Sequence, residues 1–201
     1  MKILRTVLAV AALAAPTFAF GSTWEIDPSH SSATFAVRHL MVNSVRGELG
    51  KVTGMVELDD KDVSKSSIQA SVEMGGINTR EPKRDEHLKS PDFFDVAKYP
   101  TMTFKSKRIE KGADANHFKA VGDLTIKNVT KEVTLDVEAS SEVKDPYGQT
   151  KRGATATTKI NRTDFGLKWN KALEGGGLLV GEDVNVTLDI EVAKKAAGKK
   201  S

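Results

Sequence analysis

From Ser31 onward the chain repeatedly alternates apolar and polar residues, the period of a strand with one buried and one wet face. Ala33, Phe35 and Val37 point one way while Thr34, Ala36 and Arg38 point the other. Ile68, Ala70, Val72 and Met74 alternate with Gln69, Ser71 and Glu73; Val133, Leu135, Val137 and Ala139 with Thr134, Asp136 and Glu138; and Val184, Val186, Leu188 and Ile190 with Asp183, Asn185, Thr187 and Asp189. Weaker β-rich segments run over Leu49 to Leu58, Thr101 to Ile109, Phe118 to Lys127 and Ala154 to Asn161, each bounded by Gly, Asp, Asn or Pro turn signals. Counting Thr23 to His39 as one long bent strand gives eight, and short connections between consecutive strands favour up-and-down antiparallel pairing. The fold class is therefore all-β, an eight-stranded antiparallel barrel.

One stretch breaks the pattern. Glu81 to Ser90 is crowded with charge, punctuated by Pro82, and leads into Pro91-Asp92-Phe93-Phe94. This reads as a short helical insertion near residues 81–95 ending in an aromatic plug, and insertions of that kind often carry a site or cap a barrel end.

Alternation also has a direction. An outer-membrane barrel would turn its apolar face to lipid and carry aromatic girdles. Here aromatics make up only 6% of the chain and the polar faces are rich in Lys, Glu and Asp, so the apolar face points inward. Eight strands enclose an interior that is either just filled by side chains or able to hold one small ligand. Small inward residues (Ala33, Ala70, Ala120, Gly122, Ala139, Ala154 and Ala156) favour a dry, elongated cavity. The alternative is a core filled by Phe35, Met74, Met102, Phe104 and Phe118.

The chain ends change the picture of charge and location. Lys2 and Arg5, the apolar run from Val7 to Ala15, and Thr17-Phe18-Ala19 resembling a cleavage site mark residues 1–19 as a secretory signal, too short to span a bilayer. An exported, periplasmic protein is expected, with residues 20–193 as one barrel domain and 194–201 as a basic flexible tail. The net charge of +3 includes Lys2 and Arg5; without them and without Lys194, Lys195, Lys199 and Lys200 the body carries −3. Nucleic-acid binding, which needs a basic stripe on the folded surface, is excluded, while the tail could make transient contact with anionic lipid. Cysteine is absent, so thiol chemistry and cysteine metal sites are excluded too.

Candidate chemistry is sparse. His30, His39, His87 and His117 show no ligand-pair spacing, and no metal or cofactor is expected, although a site assembled across strands stays open. His39 shares parity with Phe35 and Val37 and should face inward near a barrel end. Arg80, Arg84, Asp85 and His87 lie within two helical turns, where they could orient a polar or anionic group or simply knit the insertion to the barrel. No Ser-His-Asp order, nucleophile elbow or phosphate loop occurs.

Ordered motifs along the chain nevertheless resemble a known family. Trp24-Glu25-Ile26-Asp27, His30-Ser31, Phe35-x-Val37-x-His39, Val45-Arg46-Gly47, Arg84-Asp85-x-His87-Leu88, Phe93-Phe94, Tyr99-Pro100, Gly122-Asp123-Leu124-Thr125-Ile126 and Arg162-x-Asp164-Phe165-Gly166 follow the order of the YceI family. One departure is Asn128, where that pattern usually has glycine in a tight turn; asparagine tolerates positive φ, so the turn should be kept.

The resemblance implies a lipocalin-like barrel that holds a polyisoprenoid or similar long-chain lipid and acts as a carrier rather than an enzyme. Its candidate lining is Phe35, Val37, Val56, Val72, Met74, Met102, Phe104, Leu124, Leu135, Ile160, Phe165, Leu188 and Ile190, with His39, Arg84, His87 and Trp169 near the polar end and Asp85 holding Arg84. An enzyme acting on a lipid or small amide, or a structural or stress-related protein with a filled core, are the alternatives. Association of two barrels into a homodimer stays open.

Overall fold

In the computed structural model, which describes residues 21–196 except 115 and 175, every strongly alternating segment is a strand and one curled sheet contains them all. The strands are β1 (Ser22–Ile26), β2 (Ser32–His39), β3 (Asn43–Glu48), β4 (Val52–Leu58), β5 (Ser67–Glu73), β6 (Thr101–Lys111), β7 (His117–Ile126), β8 (Val129–Ala139), the two-residue β9 (Val143–Lys144), β10 (Thr150–Asn161) and β11 (Val180–Lys194). A single α-helix among the described residues, α1 (Pro82–Lys89), interrupts the strands between β5 and β6. The expected signal over residues 1–19 and the tail beyond residue 196 lie outside the described residues.

Pairing closes the sheet. One edge of β11 takes β10, with Lys151 opposite Ala193 through Asn161 opposite Asp183; the other takes β2 and then β1, with Ala33 opposite Leu188 and Ile26 opposite Val192. β1 and β2 thus occupy one position in the ring, as expected for one bent strand. β3 and β4 do the same beside them, β3 on β2 and β4 on β1. Together with β5, β6, β7, β8, β10 and β11 they make a closed antiparallel barrel of eight positions.

The two breaks have local causes. After Ile26 the chain turns through Asp27-Pro28, where proline has no N–H for a ladder and Asp27 Oδ1 instead accepts from Ser29 N at 2.9 Å. Between β3 and β4, Gly50 runs so close to β5 that a Cβ there would stand 1.8 Å from the Glu73 carbonyl oxygen. Only glycine fits. The strand expected over Leu49 to Leu58 therefore begins at Val52, and its first residues bend instead.

The helical insertion forms where the sequence places it. Glu81 caps it by accepting from Lys83 N at 3.1 Å, and Pro82 occupies the first helical turn, where its missing N–H costs nothing.

The antiparallel order gives the barrel two different ends. At one, β1, β5, β7 and β10 begin and β4, β6, β8 and β11 finish. This end is filled: Trp24 is 1% exposed, with the Arg152 guanidinium 5.7 Å and Lys194 Nζ 5.2 Å from its ring. Behind it pack Phe104, Ile109, Ala120, Val137 and Ala156, with Ile68, Phe118 and Ala154 against them. A bulge between Ser106 and Arg108 resets the parity of β6 so that Ile109 turns inward. At the other end the turns after β2 and β7, the α1 insertion and the segment from Arg162 to Leu179 gather. The second cluster, built on Leu49, Val52, Val72, Met74, Phe93 and Met102, packs in this half.

Two expectations change here. Lys194 is the last residue of β11, and Lys195 donates its backbone N–H to the Thr23 carbonyl at 2.8 Å and pairs with Glu25 at 3.3 Å. Both are barrel residues, not tail, because β1 offers them ladder partners. The turn after β7 is kept, but its positive φ falls on Lys127 (φ 56) and not on Asn128.

Candidate functional site

The mouth half of the barrel is hollow. A cavity of about 290 Å³ runs inward from the mouth between the strands and the two segments that overhang it. That is roughly twice the ~150 Å³ engineered cavity known to take up benzene.

Its wall is built by the inward parity of the strands. Ala33, Phe35, Val37 and His39 come from β2, Ala70 and Val72 from β5, Met102 and Phe104 from β6, Leu124 and Ile126 from β7, Val133 and Leu135 from β8, Thr158 and Ile160 from β10, and Val184, Val186 and Leu188 from β11. Arg84, His87 and Leu88 of α1, Phe93 and Phe94 after it, and Leu167, Trp169 and Leu179 from the segment after β10 cover the rim.

Thirteen of the seventeen candidates sit in this wall: Phe35, Val37, His39, Val72, Arg84, His87, Met102, Phe104, Leu124, Leu135, Ile160, Trp169 and Leu188. Four do not. Val56 faces inward opposite Trp24 and Ile68, but at the filled end. Ile190 is also inward, opposite Ala154, and lies below the cavity. Met74 leaves the strand period at Glu73, enters a 3-10 turn (Met74–Gly76) and packs into the second cluster outside the cavity wall, 2% exposed. Phe165 does likewise in the 3-10 turn Arg162–Phe165. The small residues need the same correction: only Ala33 and Ala70 reach the cavity, while Ala120, Ala154 and Ala156 pack at the filled end against bulky partners.

Polar atoms at the mouth are arranged by the insertion. Asp85 Oδ1 accepts from Thr79 N at 2.8 Å and Thr79 Oγ1 at 2.5 Å. Arg84 in turn donates from Nε to Thr79 Oγ1 at 2.7 Å and from Nη2 to the Thr79 carbonyl at 2.8 Å. Asp85 therefore fixes Arg84 through a buried threonine and not by direct pairing. One turn on, His87 Nε2 lies 2.9 Å from Asp92 Oδ2. Its ring stands edge-on to Phe93 and Trp169, with centroids 5.0 and 4.7 Å away, and the two larger rings are 5.3 Å apart. This aromatic cluster joins the insertion to the opposite overhang, the part expected as a plug.

Arg162 was not among the candidates. It is 4% exposed and belongs to the cavity wall. Its guanidinium donates only to backbone carbonyls: Nε to Gly181 at 2.8 Å, Nη2 to Val180 at 3.2 Å, and Nη1 to Trp169 at 3.0 Å and to Leu167. It ties the overhang to the start of β11, and burial pulls its pKa below the usual arginine value, with Glu182 opposing. The signal was available: Arg162 continues the inward parity of Ala156, Thr158 and Ile160.

A second polar group lies on the outside of the barrel, where β1 hands over to β2. Asp27, His30 and Glu191 bring ligand atoms within 4.8 Å of one another. Lys151 Nζ already sits 2.6 Å from Glu191 Oε1 and 3.5 Å from Asp27 Oδ2, so an ammonium stands where a metal cation would. Hydrogen bonds from His30 and from Ser29 N hold the Asp27 carboxyl down at about 2.

Comparison with known proteins agrees along almost the whole barrel. The YceI-like domain model matches residues 24–192. A UPF0312 protein of Staphylococcus aureus is 38% identical over 171 residues, covering 85% of this chain and 96% of its own. A YCEI protein from Campylobacter jejuni is 30% identical and superposes with a TM-score of 0.67 over 79% of this chain and 90% of its own. At 12% identity, a polyisoprenoid binding domain from Saccharophagus degradans shares the fold, with a TM-score of 0.60 over 86% of this chain and 98% of its own.

Proposed function

This chain belongs to the YceI-like family, and we propose that it binds a polyisoprenoid or similar long-chain lipid in its lumen and carries or stores it outside the cytoplasm. The observation that carries the proposal is the cavity itself: about 290 Å³, walled chiefly by aliphatic and aromatic side chains and reached from one end. Such a space rewards a chain-shaped apolar ligand. The polyisoprenoid-binding domain with the same fold supports the choice of ligand class. The signal-like residues 1–19 support export to the periplasm, where a lipid between membranes needs an apolar shelter from water.

Magnitudes limit how much the chain alone contributes. Burying one five-carbon unit is worth about 4 kcal/mol gross, at about 0.8 kcal/mol per CH₂-sized group. The cavity holds on the order of two such units if ~150 Å³ takes one six-carbon ring. About 8 kcal/mol gross, less at least about 4 kcal/mol for association, leaves roughly millimolar binding. Tighter binding requires contacts at the mouth.

The test is native purification, solvent extraction and mass spectrometry of what is released. Intact long-chain lipid at near-equal molar ratio is expected, and Leu124→Glu, which puts a charge into the wall, should abolish it while circular dichroism stays unchanged. Lipid content unaffected by that substitution would place the ligand elsewhere.

A further inference from the structure

We infer that the protein docks on an anionic lipid bilayer through the tip of the β2–β3 hairpin, whose apolar side chains enter the interface while the cations beside them meet the lipid phosphates. This surface is separate from the cavity, and the inference goes beyond the lumen reading without depending on it.

Five large apolar side chains are exposed among the described residues, and three of them, Leu40 (40%), Met41 (58%) and Val42 (78%), are consecutive at the hairpin tip. None of the three belongs to the cavity wall. The other two, Val143 and Tyr147, lie at the opposite end of the barrel around β9. The neighbouring overhang extends the patch. Leu40 N donates to the Leu179 carbonyl at 2.9 Å, a Cβ on Gly177 would stand 3.8 Å from Met41 Cγ, and the half-buried Leu178 bridges to Ala172 beside it. Two adjoining turns thus present apolar groups where turns ordinarily present Asn, Asp or Gly. In water this arrangement gains nothing: Leu40 and Met41 have φ of 52 and 62, which disfavours their side chains, and burial does not compensate. An exposed apolar patch of this kind marks a contact with an apolar phase that the chain alone does not supply.

Charge identifies that phase. Residues 38–46 and 168–182, the two segments that carry the patch, hold Arg38, Arg46, Lys168 and Lys171 against Glu174 and Glu182, and all four cations are exposed. Arg38 Nη2 donates to the Met41 carbonyl at 3.1 Å, which holds that guanidinium at the tip. The loops of the filled end, 59–66, 112–116 and 140–149, have the opposite balance, with six carboxylates against three lysines. These segments polarise the barrel along its axis, so that an anionic surface attracts the apolar tip and repels the loops at the far end. A second copy of the chain is a poorer occupant: like-charged tips repel, and three exposed side chains fall short of the roughly 800 Å² per partner of a stable protein interface. Aliphatic groups flanked by cations match instead the layering of a bilayer, where acyl chains lie beneath phosphates.

The absence of cysteine allows a single-site test. The mature protein carrying Val42→Cys is labelled with an environment-sensitive fluorophore and titrated with vesicles of phosphatidylcholine containing about one-quarter phosphatidylglycerol, or of phosphatidylcholine alone. Emission should shift to the blue with the mixed vesicles, and much less with the neutral ones. The same label at Tyr147→Cys, at the other end, should not respond. Cosedimentation of unlabelled protein gives a second readout that separates docking from uptake of a lipid monomer, because protein that only fills its lumen stays in the supernatant. Lys171→Gln should weaken vesicle partition about fivefold, the effect of one cation at an anionic surface, and Val42→Asp about tenfold or more, with circular dichroism unchanged in both. Four results would each overturn the inference: equal responses from the two labels, partition insensitive to Val42→Asp, partition abolished by replacing Lys199 and Lys200 with glutamine, or a blue shift that follows protein concentration without vesicles. The third would assign the contact to the C-terminal tail and the fourth to a second copy of the chain.

Discussion

The two ends of the barrel are made from the same strands and solve opposite problems. At the filled end Trp24, Phe118, Ile109 and a set of alanines pack the interior, and the surrounding charges are paired: Lys111 with Asp62, Lys195 with Glu25, Lys151 with Glu191. At the mouth the strands stand around a hollow, and four of the five ionisable wall residues have no carboxylate partner among the described residues. Backbone conformation divides the same way. All five non-glycine residues with positive φ among the described residues, Leu40, Met41, Arg80, Asp95 and Lys127, lie in the turns and insertion of the mouth. Strain and uncompensated charge tend to collect where function is. The comparison teaches that one end holds the barrel together while the other is shaped at some cost to stability.

The largest effect expected is at the filled end. Trp24→Ala removes a ring buried to 1% exposure, whose Nε1 donates to Ser22 Oγ at 2.8 Å, and should destabilise the protein by about 3–5 kcal/mol in urea unfolding. Lipid content per folded molecule should not change. A variant that loses lipid in step with stability would break the division between the ends.

Arg162→Met is the corresponding test at the mouth. It preserves bulk but removes the side-chain donor from the carbonyls of Leu167, Trp169 and Gly181, while that of Val180 keeps Asn170 Nδ2. A loss of about 3 kcal/mol is expected, since each bond to a charged donor is worth about 1.5–3 kcal/mol and such terms do not add fully. Hydrogen exchange should show the loss concentrated in residues 167–181. Uniform loss across all strands would mean that Arg162 supports the barrel as a whole.

Acid should act on the filled half first. Hydrogen bonds hold Asp27 down at about 2, chiefly from His30, and Asp62 at about 2, chiefly from Ser64 and Lys111. A carboxyl whose folded pKa lies below its unfolded value near 3.9 contributes stability above about pH 4 and loses it as pH falls through about 2. The urea midpoint should therefore decline between pH 4 and 2, and Asp27→Asn should flatten part of the decline. A midpoint constant over that range would show that these bonds survive protonation.

How much of this was legible in the sequence follows from what alternation encodes. Parity gives the face of a strand, so the inward direction, the barrel and most of the cavity wall are readable in the sequence alone. Parity does not give depth along the barrel axis, which is why Val56 and Ile190 face inward yet lie outside the cavity. It also stops where a strand stops, so Met74 and Phe165, each in a 3-10 turn, were assigned one step too far. The alanines were read as the cause of a hollow, but a small residue leaves space only if its neighbours across the lumen do not fill it, and at the filled end they do. Arg162 was missed because charge argued against an inward position that parity supported; four backbone carbonyls, invisible in a sequence, resolve the conflict.

The smallest predicted effect separates strain from contact at the mouth. The turn between β2 and β3 is closed by Val42 N donating to the His39 carbonyl at 3.1 Å, with φ of 52 at Leu40 and 62 at Met41. The central pair of a turn of this form favours Asn-Gly, because an ordinary side chain meets its own backbone when φ is positive. Met41 is 58% exposed and Val42 78%, so little burial rewards the strain. Met41→Gly should stabilise the protein by about 0.5–1 kcal/mol, the relief at a strained residue offset in part by a more flexible unfolded chain, raising Tm by roughly 1–4 °C. Lipid content should stay the same if the side chain serves only to tolerate the turn. A lower Tm would mean that Met41 contacts neighbouring mouth segments strongly enough to outweigh its backbone strain, and the hairpin would then belong to the machinery that holds the mouth in shape.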